Sequence, residues 1–213
     1  MAKPQSKPHA PAVVLSRVPP DQAAALERAF AAVVAALGRA GIACTTVDSV
    51  YDMQADEAGA AFLRNVPGTL VLLGWHPARA LQCVLAQHGV DIARTSRAVH
   101  CLDVRVFAPD ELAARVKAIA PGAAQDRPAD PPSRANLAPR WYPVVDRGRC
   151  TNCMECLDFC LFGVYSPAPD KAVQVTKPAG CKTGCPACAR VCPHAAIMFP
   201  KYAQSPINGD EVT

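Results

Sequence analysis

The chain has 213 residues, 51% of them hydrophobic and 19% charged, with 11 Cys, 21 Pro and a formal net charge of +4. That length suits two modest domains, and the aliphatic content excludes collagen and full disorder. The longest apolar runs, such as Thr69–Leu73, fall far short of the roughly 20 residues a bilayer span needs. The charge is too small to indicate nucleic acid by itself. Met1–Val18 carries two Lys but no continuous apolar core and no small-residue cleavage site, so the expected location is cytoplasmic. In that reducing setting a Cys-rich chain points to metal ligation before disulfides.

In chain order, residues 1–11 are a Pro-rich tail expected to lack fixed structure. Ala12–Leu15 reads as a first strand, ended by Pro19-Pro20. Asp21 is placed to cap a helix on which Leu26, Phe30, Val33, Val34 and Leu37 make an apolar stripe, closed by Gly38 or Gly41. Ile42–Val47 reads as a second strand and Glu57–Asn65 as a weaker helix. Gly68–Gly74 is apolar on both faces, as a central parallel strand is. Ala78–His88 reads as helix, Ala98–Phe107 as strand, and Asp110–Ile119 as a helix with Leu112, Val116 and Ile119 on one face. Repeated βα units predict an α/β fold over residues 12–120, a small parallel sheet that is Rossmann-like or flavodoxin-like.

Nucleotides and flavins in such folds sit at the carboxyl ends of the strands, usually on a phosphate loop after the first one. Ser16–Pro20 contains no glycine, so neither a dinucleotide fingerprint nor a Walker loop is present. Gly74–Arg79 is the one suggestive place, where Trp75, His76 and Arg79 are candidates to line a small-molecule crevice or to dock a partner. The plainer reading is that Trp75 caps the core, Pro77 starts a helix and the polar groups are solvated. Cys44, Cys83 and Cys101 are isolated in apolar surroundings and read as buried thiols. His88 and His100 read as surface or core residues.

Pro121–Pro139 carries five prolines without apolar periodicity. It is expected to be a semi-extended linker reaching on the order of 50 Å, enough for tethered movement of one half against the other.

The other eight cysteines lie between Cys150 and Cys192. Cys150, Cys153, Cys156 and Cys160 are spaced C-x2-C-x2-C-x3-C; Cys181, Cys185, Cys188 and Cys192 are spaced C-x3-C-x2-C-x3-C before Pro193. Three closely spaced thiolates on a tight loop can hold three corners of an iron–sulfur cube, and the fourth ligand must come from elsewhere. A zinc ribbon uses two C-x2-C pairs and a longer spacer, which gives no reason for the doubled run.

Residues 140–203 resemble a bacterial-type ferredoxin with two 4Fe-4S clusters, an α+β fold. The resemblance implies crossed ligation: one cluster on Cys150, Cys153, Cys156 and Cys192, the other on Cys181, Cys185, Cys188 and Cys160. It also implies paired strands at Trp141–Asp146 and Ala196–Phe199, a hairpin from Gly163–Tyr165 and Ala172–Val175, and short helices after Cys156 and Cys188. Crossed ligation would couple metal insertion to folding. Two departures stand out. Leu161 replaces the proline expected after Cys160, and three residues, not two, separate Cys181 from Cys185, with Gly180 and Gly184 able to take the backbone angles of a wider loop. Phe159, Phe162, Tyr165 and Phe199 are expected to surround the clusters and exclude water.

Two clusters of net charge about −2 each would cancel the formal +4. Arg147, Arg149, Lys171, Lys177, Lys182, Arg190 and Lys201 are expected to offset that charge on a solvated or docking face, with no nucleic acid as partner. The expected activity is electron transfer to or from an oxidoreductase partner, with no substrate bond made or broken. Residues 12–120 then serve as a docking or assembly module, beside a redox partner or a second copy of the chain, and residues 204–213 as a tail. Two alternatives stay open. One is an oxidoreductase whose α/β domain binds a small molecule or flavin near Trp75, His76 and Arg79. The other is a structural or sensing protein whose clusters do not cycle.

Overall fold

The computed structural model describes residues 10–90, 98–123, 128–134 and 136–211. The expected N-terminal tail lies almost wholly outside these, as do positions 124–127 and 135 of the expected linker.

Four strands, β1 (Ala12–Ser16), β2 (Thr45–Val47), β3 (Leu70–Gly74) and β4 (Val99–Asp103), form one parallel sheet in the order β2-β1-β3-β4. The pleat sends alternate residues to opposite faces. Val13, Leu15, Val71 and Leu73 meet helices α1 (Ala23–Arg39) and α4 (Pro109–Ile119) on one side. Val14, Leu70 and Leu72 meet α2 (Ala58–Asn65) and α3 (Ala78–Gln87) on the other. With both faces covered, all five residues of β3 are buried, which explains its unbroken apolar run.

Some boundaries differ from expectation for identifiable reasons. A short 3-10 turn, Pro20–Gln22, precedes α1, and Asp21 makes no capping bond because its carboxylate pairs with Lys201. Val34 falls off the apolar stripe and is exposed, while Ala36 takes its place in the core. The chain leaves β4 at Asp103, whose carboxylate accepts from the Arg105 amide and turns Val104–Val106 into a 3-10 turn.

The cysteine-rich segment adds β5 (Val144–Val145), α5 (Glu155–Phe159), β6 (Tyr165–Pro167), β7 (Val173–Val175), α6 (Ala187–Val191) and β8 (Ile197–Met198). β5 pairs with β8 and β6 with β7, both antiparallel. The chain thus runs strand, cysteine loop, short helix, strand twice over, and the two runs close on a shared core of Val145, Val164, Tyr165, Val173, Ile197 and Phe199.

The two lobes are not tethered at a distance. Tyr142, Val144 and Met198 belong to the same apolar core as Val14, Tyr51, Leu72 and Leu85. Tyr51 and Tyr142 stack with ring centroids 4.5 Å apart, and their hydroxyls and backbones bond reciprocally: Tyr51 Oη donates to Tyr142 O at 2.6 Å and Tyr142 Oη to Tyr51 O at 2.8 Å. The described part of the expected free linker, residues 128–134 and 136–139, is a strap. Thr46 N and Oγ1 donate to Asp130, Ser133 Oγ and Arg134 N donate to Asp48, Arg134 pairs with Glu57, and Arg140 N donates to Asp52. Proline sets its extended path; β2 supplies donors to Pro128 O and Asp130, and Asp48, Asp52 and Glu57 after β2 supply acceptors. The expected C-terminal tail also packs: Phe199 N donates to Ile207 O at 2.7 Å, and Gly209, at φ +97°, lies so close to Ala80 of α3 that a Cβ would stand 2.6 Å from its methyl.

Candidate metal centre

Two tight loops deliver the eight clustered cysteines. In the first, Asn152 and Met154 both sit at left-handed backbone angles, φ 58° and 69°, curling the chain between Cys150 and Cys156. For Met this conformation is strained, and the loop is held by Val173 N, which donates to Asn152 Oδ1 at 3.1 Å. In the second, Gly184 takes φ 78°, the freedom expected of the widened loop, whereas Gly180 closes a 3-10 turn without a positive φ. Helices α5 and α6 then carry Cys156 and Cys188 into the core.

The thiols meet in a pattern that crosses the sequence. Cys156 lies near Cys188, Cys150 and Cys192; Cys181 lies near Cys188, Cys185 and Cys160. Cys160, Cys181, Cys185 and Cys188 together line one cavity of about 450 Å³, walled otherwise by Phe159, Phe162, Val164 and Tyr165 among others. Cys153 is exposed. Burial first, then neighbouring thiols, pushes Cys156 and Cys181 up to about 12; burial pushes Cys188 up to about 11 against the Tyr165 hydrogen bond, which lowers it. Such a set holds its protons unless a cation displaces them, as metal binding to thiolates does. Among the described residues no three His, Cys, Asp or Glu groups converge on a single ion. A four-iron cube asks for something else, since each thiolate binds its own iron and the ligand sulfurs stand further apart than around one ion. The soft donor set and its apolar cradle fit such a group.

Contacts around the sulfurs are uneven. The Tyr165 hydroxyl donates to Cys188 Sγ at 3.1 Å, and burial and the nearby thiols hold this phenol well above its ordinary pKa, so it keeps its proton. Ala196 N donates to Cys192 Sγ at a longer 3.4 Å. Trp141 Nε1 donates to Cys185 O and its ring stacks on Phe199. Of the four aromatics expected to enclose the site, Tyr165 and Phe199 are buried, but Phe159 and Phe162 are 51% and 45% exposed, and Leu161 between them is 93% exposed. Their loop lies at the rim, where nothing covers it.

Trp75, His76 and Arg79 lie just past the carboxyl end of β3, but they are buried, not solvated, and each has different partners. Trp75 Nε1 donates to Ser16 O, joining the exits of β1 and β3. Arg79 pairs with Asp146 at 2.8 Å and donates to Ala195 O, both in the cysteine-rich lobe. Lys201 is also buried at this end of the sheet, its side chain 4% exposed, and pairs with Asp52 at 2.6 Å and Asp21 at 2.7 Å. It is therefore a structural cation and not part of the expected solvated basic face. The sequence alone gave no sign of this, because its partners lie far away in the chain. Of the isolated thiols, Cys101 is buried and Cys44 and Cys83 are partly so; burial pushes Cys83 and Cys101 up to about 12, which makes them inert.

His76 supplies a pH test. Burial, then the charges of Arg105 and Lys201, lowers its pKa to about 3. As pH falls through about 6.5 the unfolded chain takes up this proton and the folded one does not, so the stability present at neutral pH is lost on the way down to about 3. Denaturation midpoints of the His76→Gln variant should therefore fall less steeply than those of the parent between pH 6 and 4; identical slopes would show that His76 does not titrate this way.

The cysteine-rich lobe defines a ferredoxin-like segment. It is similar to an uncharacterized ferredoxin of Methanocaldococcus jannaschii, 44% identical over 61 residues, which are 28% of this chain and 41% of that protein. The likeness thus spans less than half the length of the curated relative. No protein-family model matches the chain.

Proposed function

We propose that this chain is an iron–sulfur electron-transfer protein carrying two 4Fe-4S clusters in crossed ligation, Cys150, Cys153, Cys156 and Cys192 holding one and Cys181, Cys185, Cys188 and Cys160 the other. The observation that carries the reading is the grouping of thiols remote in sequence: Cys160 lines one cavity with Cys181, Cys185 and Cys188, and Cys192 lies near Cys156. When bound, each cluster supplies one-electron storage. The protein's part is to hold the thiolates, keep water from the inner sulfurs with Val164, Tyr165 and Phe199, and keep the two groups adjacent through Cys156 and Cys188. Electrons pass to or from a redox partner protein in the cytoplasm, and no bond of a substrate changes in this chain. No described helix is long and apolar enough to cross a membrane.

The α/β lobe serves as an assembly module that fixes the ferredoxin-like lobe in one orientation. In a sheet of this order the ligand crevice lies where strand succession reverses, between β1 and β3. Here Trp75 Nε1 donates across it to Ser16 O, and Lys201 pairs with Asp21 and Asp52 on the loops after β1 and β2, which favours the assembly role over a flavin or small-molecule enzyme.

Anaerobic reconstitution of the full chain should bring about eight iron and eight sulfide per chain, and reductive titration should show both clusters accepting an electron. A plateau near four iron, or zinc taken up in place of iron, would sink the two-cluster assignment. Clusters that accept no electron at any accessible potential would leave the structural or sensing alternative.

A further inference from the structure

We infer that Tyr165 is a positioning residue that sets the two clusters at different potentials by donating its hydroxyl hydrogen bond to Cys188. This rests on the two-cluster reading. Tyr165 Oη lies 3.1 Å from Cys188 Sγ, and the ring stands at the start of β6, 6% exposed, among Val164, Val173 and Ala189. Its place is fixed from three directions. β6 pairs with β7, Tyr165 opposite Val175; α6 holds Cys188 at its second position; and Tyr165 also lies close to Cys156 and Cys160. A buried hydroxyl needs an acceptor, and here the acceptor is a sulfur of the second group.

The consequence follows from charge. A thiolate ligand gains electron density when its cluster is reduced, so a proton pointed at that sulfur stabilises the reduced form more than the oxidised one. The hydrogen bond therefore raises the potential of the group held by Cys160, Cys181, Cys185 and Cys188. In the other group, Cys192 receives a backbone N–H at 3.4 Å, and its Cys150 Sγ lies 3.5 Å from Asn152 Oδ1, an acceptor that withdraws no charge. The first electron taken up then resides on the Cys188 cluster, whose rim at Leu161 and Phe162 opens to solvent.

The test uses the full-length chain, reconstituted anaerobically, with each cluster's midpoint potential followed spectroscopically. Tyr165→Phe keeps the ring and removes only the hydroxyl. It should keep the parent iron content and lower the potential of one cluster, disfavouring its reduction about tenfold, which is about 59 mV for one electron, with the other cluster unmoved. Replacing Tyr165 by 3-fluorotyrosine, a stronger donor of nearly the same volume, should move the same cluster the opposite way. Unchanged potentials in an iron-replete Phe variant, or equal shifts at both clusters, overturn the proposal. If the Phe variant fails to load iron, the fluorotyrosine protein decides: a rise at one cluster supports the inference and no rise overturns it. An iron content near four in the parent protein instead reports failure of the two-cluster reading, and this inference falls with it.

Discussion

Replacing Cys192 with serine is expected to take iron from the loop of Cys150, Cys153 and Cys156, more than thirty residues earlier in the chain, and to leave the loop that immediately precedes it loaded. The iron content should fall from about eight toward about four per chain, and the reciprocal Cys160→Ser should empty the later loop in the same way. The reason is spatial. α6 ends at Val191 and delivers Cys192 toward Cys156, whereas Cys160, just past the end of α5, lines the cavity of Cys181, Cys185 and Cys188. Iron analysis with spectroscopy of the surviving cluster reads the outcome. If Cys192→Ser spared the early loop and damaged only the later one, each run would be closing its own cluster and crossed ligation would be wrong.

The largest loss of stability is expected from Lys201→Met. Lys201 and Asp52 are 4% and 0% exposed and 2.6 Å apart, with Asp21 as a second partner. Removing the cation leaves a buried carboxylate short of its counter-ion, a change that costs about 3–5 kcal/mol. Asp52 keeps bonds from Ser49 Oγ and Arg140 N, which places the loss toward the lower end of that range. Lys201→Met combined with Asp52→Asn should regain much of it, because the unpaired charge is gone. Denaturation midpoints of the cluster-loaded proteins measure both effects. A loss below about 1 kcal/mol in the single variant would show that the joint is held by apolar contact and that the ion pairs contribute little.

The residues that were legible in the sequence are those whose environment is local or uniform. β3 could be read because it is buried on both faces, so its run Leu70–Leu73 is unbroken. The cysteine loops could be read because spacing is their geometry. What could not be read is what one lobe does to the other. Asp21 looks like a helix cap until Lys201, 180 residues on, takes its carboxylate. His76 and Arg79 look like solvated polar groups at a strand exit until Asp146, Ala195 and Lys201 cover them. The proline-rich segment looks free because its partners, Thr46 in β2 and Asp48 just after it, lie some eighty residues earlier in the chain. Phe159 and Phe162 look like core because aromatics beside cysteines usually are; position on the rim, which spacing does not encode, leaves them in solvent.

Anchorage at both flanks of the cysteine-rich segment bears on how the protein matures. Arg140 and Tyr142 before the first run, and Met198 and Lys201 after the second, are gripped by the α/β lobe through backbone hydrogen bonds, apolar packing and an ion pair. The entropy of bringing those ends together is met by the larger lobe's own folding, not by iron. Iron loading then orders loops on a frame that already stands, and a chain whose iron has been chelated is expected to retain the cooperative unfolding transition of its parallel sheet. Iron then adds its cross-links to a fold that the parallel sheet already holds.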